Sequence, residues 1–146
     1  VESLFRLVRP DYAFFGEKDF QQLKIIESIV KKNNLPLVIK SCSSVRLNNG
    51  MSFSSRYNNF SINEEKIFNK VAEKINHLVK NLNKEINLNQ IKNFNKDLLK
   101  LNIKKTDYIE VRDENALKPT LENKKARLFI AFYIGKIRVI DNFVLY

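Results

Sequence analysis

Gly16, Glu17, Lys18 and Asp19, followed by Gln22, place a glycine, a mobile cation, carboxylates and an amide in one short stretch. Residues of these types suit phosphate recognition. A glycine lets a ligand approach the backbone closely, a lysine neutralises phosphate charge, and an amide both donates and accepts hydrogen bonds. A second stretch offers the same chemistry with different groups. After Ser43-Ser44-Val45-Arg46, an Asn48-Asn49-Gly50 turn leads into Met51-Ser52-Phe53-Ser54-Ser55-Arg56. Two hydroxyls followed by a guanidinium on a mobile loop grip phosphate oxygens, since arginine presents a planar fork of donors and serine adds short neutral ones. Each motif alone also fits a solvated loop.

The elements around these residues decide what they can do. Upstream of Gly16, Pro10 introduces the apolar run Asp11 to Phe15, the pattern of a buried parallel strand. Downstream, Phe20, Leu23, Ile26, Ile29 and Val30 recur at helical spacing to about Lys32, with Asp19 placed to cap the helix. Gly16-Glu17-Lys18 is therefore a βα turn at the C-terminal end of a strand. In open α/β sheets ligands bind in the crevice at those strand ends, and the free N–H groups of the helix start favour an anion. Leu35 to Lys40 reads as a second buried strand.

The remainder is organised differently. Ser61 and Glu64 fit a capping box ahead of an apolar stripe through Ile67, Phe68, Val71, Ile75, Leu78, Val79 and Leu82. Asn87 caps a further helix carrying Leu88, Ile91, Phe94, Leu98 and Leu99. Tyr108 to Val111 alternates as a strand, and Ala126–Ile134, Gly135-Lys136 and Ile137–Ile140 read as a β-hairpin, with a polar loop over 118–125 between them. Two helices and about three antiparallel strands make a small α+β domain.

Other reactive residues are given structural roles. His77 lies on a helical stretch without a partner at useful spacing, and Cys42 has no second cysteine, so it packs near a strand end. Asp113-Glu114 and Asp141-Asn142 read as turn and strand-end residues. No metal site is expected. The net charge of +10 would ordinarily suggest a nucleic-acid partner. Its lysines are scattered among asparagines over residues 63–105, as on a solvated helix surface, rather than gathered with aromatics as a stacking platform needs. No apolar run approaches the roughly twenty residues that span a bilayer, and no secretory signal is visible.

Together the two motifs resemble the pantothenate synthetase family, the pantoate–β-alanine ligases of the HxGH nucleotidyltransferase superfamily. Phe14-Phe15-Gly16-Glu17-Lys18-Asp19-Phe20-Gln21-Gln22-Leu23 carries the family-specific block. Ser44-Val45-Arg46, Gly50 and Ser54-Ser55-Arg56 follow in the family's order, as do Ala126-Arg127-Leu128 and Ile140-Asp141-Asn142. The resemblance runs from about Leu4 to Leu145. It implies an α/β fold: the C-terminal part of a Rossmann-like parallel-sheet domain over 1–46, a phosphate loop and hinge over 47–60, and a small α+β lid with an antiparallel sheet over 61–146.

It also implies an activity. Pantoate and ATP would give pantoyl adenylate and pyrophosphate, and β-alanine would then attack the acyl carbon and release AMP, with Mg2+ assisting. Gly16, Glu17, Lys18 and Asp19 fall on the family's ATP turn and Gln22 on its pantoate-contacting glutamine. Val45 falls on a position that meets adenine, and Phe53, Ser54, Ser55 and Arg56 on the phosphate loop, with Lys18 and Arg56 as the catalytic charges. Phe53 departs from the family's usual Met or Leu, and Tyr57-Asn58-Asn59 from its usual Asn-x-Tyr. The His-x-Gly-His segment with which the family opens is not in the chain. The expectation is a C-terminal half, truncated or translated from an incomplete gene, with little turnover by itself, exposed apolar surface along Tyr12–Phe15 and Leu37–Ile39, and marginal stability or self-association. A cytoplasmic location is implied, without nucleic-acid or membrane partners, and a homodimer for the full-length protein alone. The alternatives are another nucleotidyltransferase of the superfamily, which would not keep Gln22 in that block, or a non-enzymatic basic module binding nucleic acid.

Overall fold

The apolar run after Pro10 forms a strand, and the periodic stretch after Asp19 forms a helix. In the computed structural model, which describes residues 1–103, 105–122 and 125–146, α1 (Glu2–Val8) precedes β1 (Tyr12–Gly16). A short 3-10 turn over Glu17–Asp19 leads into α2 (Phe20–Lys32), and β2 (Val38–Cys42) follows. β1 and β2 pair in parallel, with Tyr12 opposite Val38 and Gly16 opposite Cys42. These elements make one compact unit, Val1–Ser44. α2 turns Phe20, Leu23 and Ile26 inward at helical spacing and packs against both strands.

Both strands were expected to be buried, and here the structure differs. Ala13, Phe15 and Ile39 are half-buried, with Phe15 edge-on to the Phe5 ring at 6.3 Å. The alternate residues Tyr12, Phe14 and Val38 are exposed, Phe14 at 70%. Side chains alternate across a strand, so the helices cover one face and leave the apolar residues of the other open, as anticipated for that surface. Cys42 ends β2 exposed rather than packed. Asp19 makes no side-chain cap bond. Its backbone, at φ −98° and ψ 58°, lies outside the extended region a capping residue needs to turn its carboxylate back onto the first helical N–H groups.

The second unit, Val45–Tyr146, holds α3 (Ile62–Leu82), α4 (Leu88–Lys100) and the antiparallel sheet β3 (Thr106–Asp113), β4 (Ala126–Ile134) and β5 (Ile137–Leu145), in the order β3-β4-β5. The core forms where the stripe of α3 meets the sheet: Phe68, Val71, Ala72, Ile75, Leu78 and Leu82 pack in one cluster with Leu128, Ile130, Phe132 and Ile134 of β4. α4 adds Phe94 and Leu98. The segment before α3 belongs to the same cluster, with Met51 buried and Leu47, Tyr57 and Phe60 packed against it. Gly135, at φ +57°, turns the chain between β4 and β5 in a conformation that side chains disfavour. Of the polar loop expected over 118–125, residues 123 and 124 lie outside the described residues, and Pro119 bridges Arg112 of β3.

The starts of α3 and α4 follow the sequence rules. Asn87 accepts from the Asn89 N–H, and the Ser61 hydroxyl accepts from Glu64 N–H while Ser61 N–H donates to the Glu64 carboxylate at 2.8 Å. Hydrogen bonds from Ser61 hold the Glu64 carboxyl below the usual glutamate range. Hydrogen bonds from Lys74 and Lys100 do the same for Asp97. A carboxylate with a lowered folded pKa contributes stability above its unfolded pKa and loses it as pH falls through the folded value. Acid titration followed by helical circular dichroism should therefore show loss on the acid side. Ser61→Ala should reduce the Glu64 share of that pH dependence without abolishing it, because the Ser61 N–H bond to the carboxylate remains, and should leave the Asp97 share.

Candidate functional site

β1 delivers the chain to Gly16 at its C-terminal end, and the 3-10 turn carries Glu17, Lys18 and Asp19 before α2 begins. The turn is thus at a parallel strand's C-terminal end, where helix-start N–H groups gather. Gly16 has φ −71° and ψ 137°, a conformation open to any residue, and a Cβ built there would meet nothing within 4 Å. Neither strain nor packing inside this chain demands the glycine, so its bare backbone is left open to an incoming group. Glu17 and Lys18 are half-buried, whereas Asp19 is exposed, and Gln22 follows one turn on, exposed as well. Lys24, beyond them, is engaged with Glu27 at 2.9 Å and does not compete for the turn.

The other expected residues share a small hairpin and turn in the second unit. Val45 and Phe53 are linked by a Phe53 N–H to Val45 carbonyl bond of 2.8 Å, Arg46 bridges Ser52, and Gly50 closes the turn at φ +85°. Val45 and Phe53 expose their side chains, leaving the backbone of Val45 engaged on one side. Ser54 has extended backbone, and its hydroxyl accepts from Arg56 N–H at 3.3 Å, starting a 3-10 turn over Ser55–Asn59. Ser55 and Arg56 are exposed. A cleft of about 400 Å³ lies beside this turn, lined by Asn48, Asn49, Phe53, Ser54, Tyr57 and Asn58 among others.

Tyr57 anchors the turn from below. Its ring stacks on Phe60 at 5.4 Å and tilts on Phe68 at 4.7 Å. Burial, with the Asp141 carboxylate adding to it, pushes the Tyr57 hydroxyl well above the usual tyrosine range, and nearby Arg56 opposes this. Tyr57 thus stays neutral beside the loop at any physiological pH.

Asp141 and Asn142 were read as strand-end residues, and this is corrected: β5 continues through them to Leu145, and both are buried. Asp141 accepts from Ser52 N–H at 2.7 Å, Ser52 hydroxyl at 2.5 Å, Asn142 N–H at 2.8 Å and Arg46 Nη1 at 3.2 Å. Arg46 also donates to the Gly50 and Asn142 carbonyls and lies over the Phe143 ring. Arg127 Nη1 meets Asn142 Oδ1 at 2.6 Å, and its Nε meets Glu114 at 2.8 Å. Glu114 and Asn142 thereby converge on one arginine, which sequence spacing did not suggest. The available signal was an Asp-Asn pair set directly between apolar residues, Val139-Ile140 before and Phe143-Val144 after.

Among the described residues no group of three His, Cys, Asp or Glu side chains is placed to hold a metal ion. His77 is exposed on α3, its Nδ1 3.2 Å from Asn81. No helix among the described residues is long and apolar enough to cross a membrane.

Comparison with known proteins matches this arrangement over almost all its length. The family model described as pantoate-beta-alanine ligase matches residues 1–144. The pantothenate synthetase of Christiangramia forsetii is 37% identical over 99% of the chain and 52% of its own length, and that of Buchnera aphidicola is 38% identical over 97% and 51%. A crystal structure of pantothenate synthetase from Thermus thermophilus superposes with a TM-score of 0.84 at 25% identity, covering 99% of this chain and 53% of its own. The Francisella tularensis pantoate-beta-alanine ligase, solved with beta-gamma ATP and β-alanine, superposes at 0.68 with 31% identity, covering 98% and 47%. The chain spans about half the length of the curated relatives it matches.

Proposed function

The chain belongs to the pantoate-beta-alanine ligase family, and from that premise we propose that it serves the ATP-dependent condensation of pantoate with β-alanine through a pantoyl adenylate. The observation that carries the proposal is the Gly16–Asp19 turn between a parallel strand and a helix, with the Gly16 backbone open, in a family with a member solved with beta-gamma ATP and β-alanine.

A carboxylate is a poor acyl donor until one of its oxygens becomes part of a good leaving group. In the first step the pantoate carboxylate oxygen bonds the α-phosphorus of ATP, the bond to the bridging oxygen breaks, and pyrophosphate leaves. In the second, the neutral amine of β-alanine attacks the acyl carbon, AMP departs with the bonding pair, and the nitrogen gives up one proton to solvent as the amide forms. Alignment and charge neutralisation are the protein's part in both. Lys18 is assigned to the phosphates, where charge builds on the leaving pyrophosphate, and Gly16 and Asp19 to the ribose side, with Glu17 completing the turn. Gln22 is assigned to pantoate, Val45 to adenine through its backbone, and Ser54, Ser55 and Arg56 to the phosphate oxygens, with Phe53 packing beside them. Segment 47–60 would act as phosphate loop and hinge, and 61–146 as the lid that excludes water.

Mg2+ typically binds through one or two carboxylates together with substrate phosphates rather than in an all-protein cage. The donor set fits that mode: Glu17 offers a carboxylate in the proposed ATP turn, and a bound Mg2+ would supply charge neutralisation at the phosphates. A cytoplasmic location follows from dependence on ATP, and a homodimer is proposed for a polypeptide of the relatives' full length.

The test is stoichiometry. A polypeptide holding these residues together with the remaining half of the relatives' length should form AMP and pantothenate one for one from ATP, pantoate and β-alanine. Release of ADP and phosphate instead would sink the adenylate route. Gly16→Ala supplies a sharper check, because the added methyl meets nothing inside the chain. It should leave the melting temperature unchanged while weakening ATP binding about tenfold or more by blocking close approach to the backbone, as titration calorimetry would show.

A further inference from the structure

The buried carboxylate of Asp141 is a costly group placed where no substrate role has been assigned. Its side chain is fully enclosed, and four donors converge on it. Two of these come from Ser52, whose N–H and O–H both end on the same carboxylate. Arg46, opposite Ser52 in the hairpin, supplies the charge, and its guanidinium also holds the Gly50 carbonyl at 2.7 Å and the Asn142 carbonyl at 2.8 Å. Strand, turn and returning strand of the 45–53 hairpin are thus all fastened to one point on β5, across 89 residues of sequence from Ser52.

An ion pair with one enclosed partner is a weak source of stability, since burying the carboxylate costs desolvation and the Arg46 side chain, 36% exposed, is screened by solvent. Its value is geometric. Ser52 lies one residue from Phe53 and two from Ser54, so fixing both its backbone and its hydroxyl fixes the root from which the Ser54–Arg56 turn departs. Short hydroxyls must be placed to within about half an ångström to hold phosphate oxygens, and such placement has to come from supporting contacts.

We propose that Asp141 is the positioning residue of the Ser54–Arg56 loop, acting through Ser52 and Arg46 rather than on substrate. The proposal rests on the reading of that loop as phosphate-binding and adds the device that holds it in place. Loosening the clamp should free the loop without unfolding the unit around it.

The experiment uses the full chain and compares Asp141→Asn, Ser52→Ala and a control, Val139→Ala, which makes a cavity in the same strand. Amide hydrogen exchange and ATP titration are read on each. Asp141→Asn should speed exchange at Ser52–Arg56 by about tenfold to a hundredfold, as expected for loss of charge-assisted hydrogen bonds, while amides of α3 keep their rates. Ser52→Ala should give a smaller change at the same amides and covers the case in which Asp141→Asn does not fold. ATP affinity should fall in both, and Val139→Ala should lower overall stability without the local effect. Exchange that rises evenly through the unit, or a loop response to Val139→Ala equal to that of Asp141→Asn, would overturn the proposal. Failure of the unsubstituted polypeptide to bind ATP even when joined to the remaining half of the relatives' length would count against the nucleotide reading, and the exchange pattern would then decide the clamp by itself.

Discussion

Replacing Lys18 by alanine should slow pantoyl-adenylate formation by about 10²–10³-fold, the usual loss when one preorganised group facing developing charge is removed. The side chain sits in the turn between β1 and α2, where helix-start N–H groups already favour an anion. As the bond to pyrophosphate breaks, negative charge gathers on the departing oxygens, and the attraction of a lysine there is stronger in the transition state than in the ground state. The loss should therefore appear in kcat as well as in kcat/KM, with the KM for ATP changing less. Lys18→Arg should recover part of the rate, because it keeps the charge but changes the shape and reach of the donor. Steady-state kinetics of pyrophosphate release on the full-length enzyme would show this, and an unchanged kcat would remove Lys18 from the catalytic role. Arg56, exposed on the other motif, should show the same pattern on substitution.

Phe132→Ala should destabilise the second unit by about 3–5 kcal/mol, the range for emptying a large buried aromatic site. Phe132 is fully enclosed in β4, paired with Thr106 on one side and Val139 on the other, and belongs to the cluster formed with α3. The loss arises from transfer of the ring to water together with the cavity left against the helix stripe. Set against a typical total of about 5–15 kcal/mol, it would leave the unit close to unfolding at ambient temperature. Urea denaturation of the two proteins would measure it. A change below about 1 kcal/mol would mean that the site collapses freely and that the β4 core is less tightly packed than the enclosed ring indicates.

What could be read from the sequence was local. The α3 stripe and its Ser61–Glu64 box, the Asn87 cap and the Gly135 hairpin all follow from spacing and capping chemistry, because each depends on residues close together in the chain. Where interactions are distant, local patterns mislead. Asp141-Asn142 looked like a strand end because a buried carboxylate in a strand is costly, and the side-chain and backbone donors that offset the cost come from Arg46 and Ser52, far away in sequence. The Asp19 cap failed for a different reason: the 3-10 turn before α2 holds its backbone outside the capping conformation. Tyr12, Phe14 and Val38 were legible as apolar, but strand patterning alone does not tell which face a helix covers. Of the proposed site, the residue types and their turns were legible, while the support beneath the second loop was not.

The central claim is that the Gly16–Gln22 block and the Ser54–Arg56 turn serve an adenylating ligase acting on pantoate. It is tested most directly by ATP–pyrophosphate exchange without β-alanine, in a polypeptide that joins these residues to the remaining half of the relatives' length. Label should pass from pyrophosphate into ATP only when pantoate is present. Exchange that proceeds equally well without pantoate would contradict the assignment.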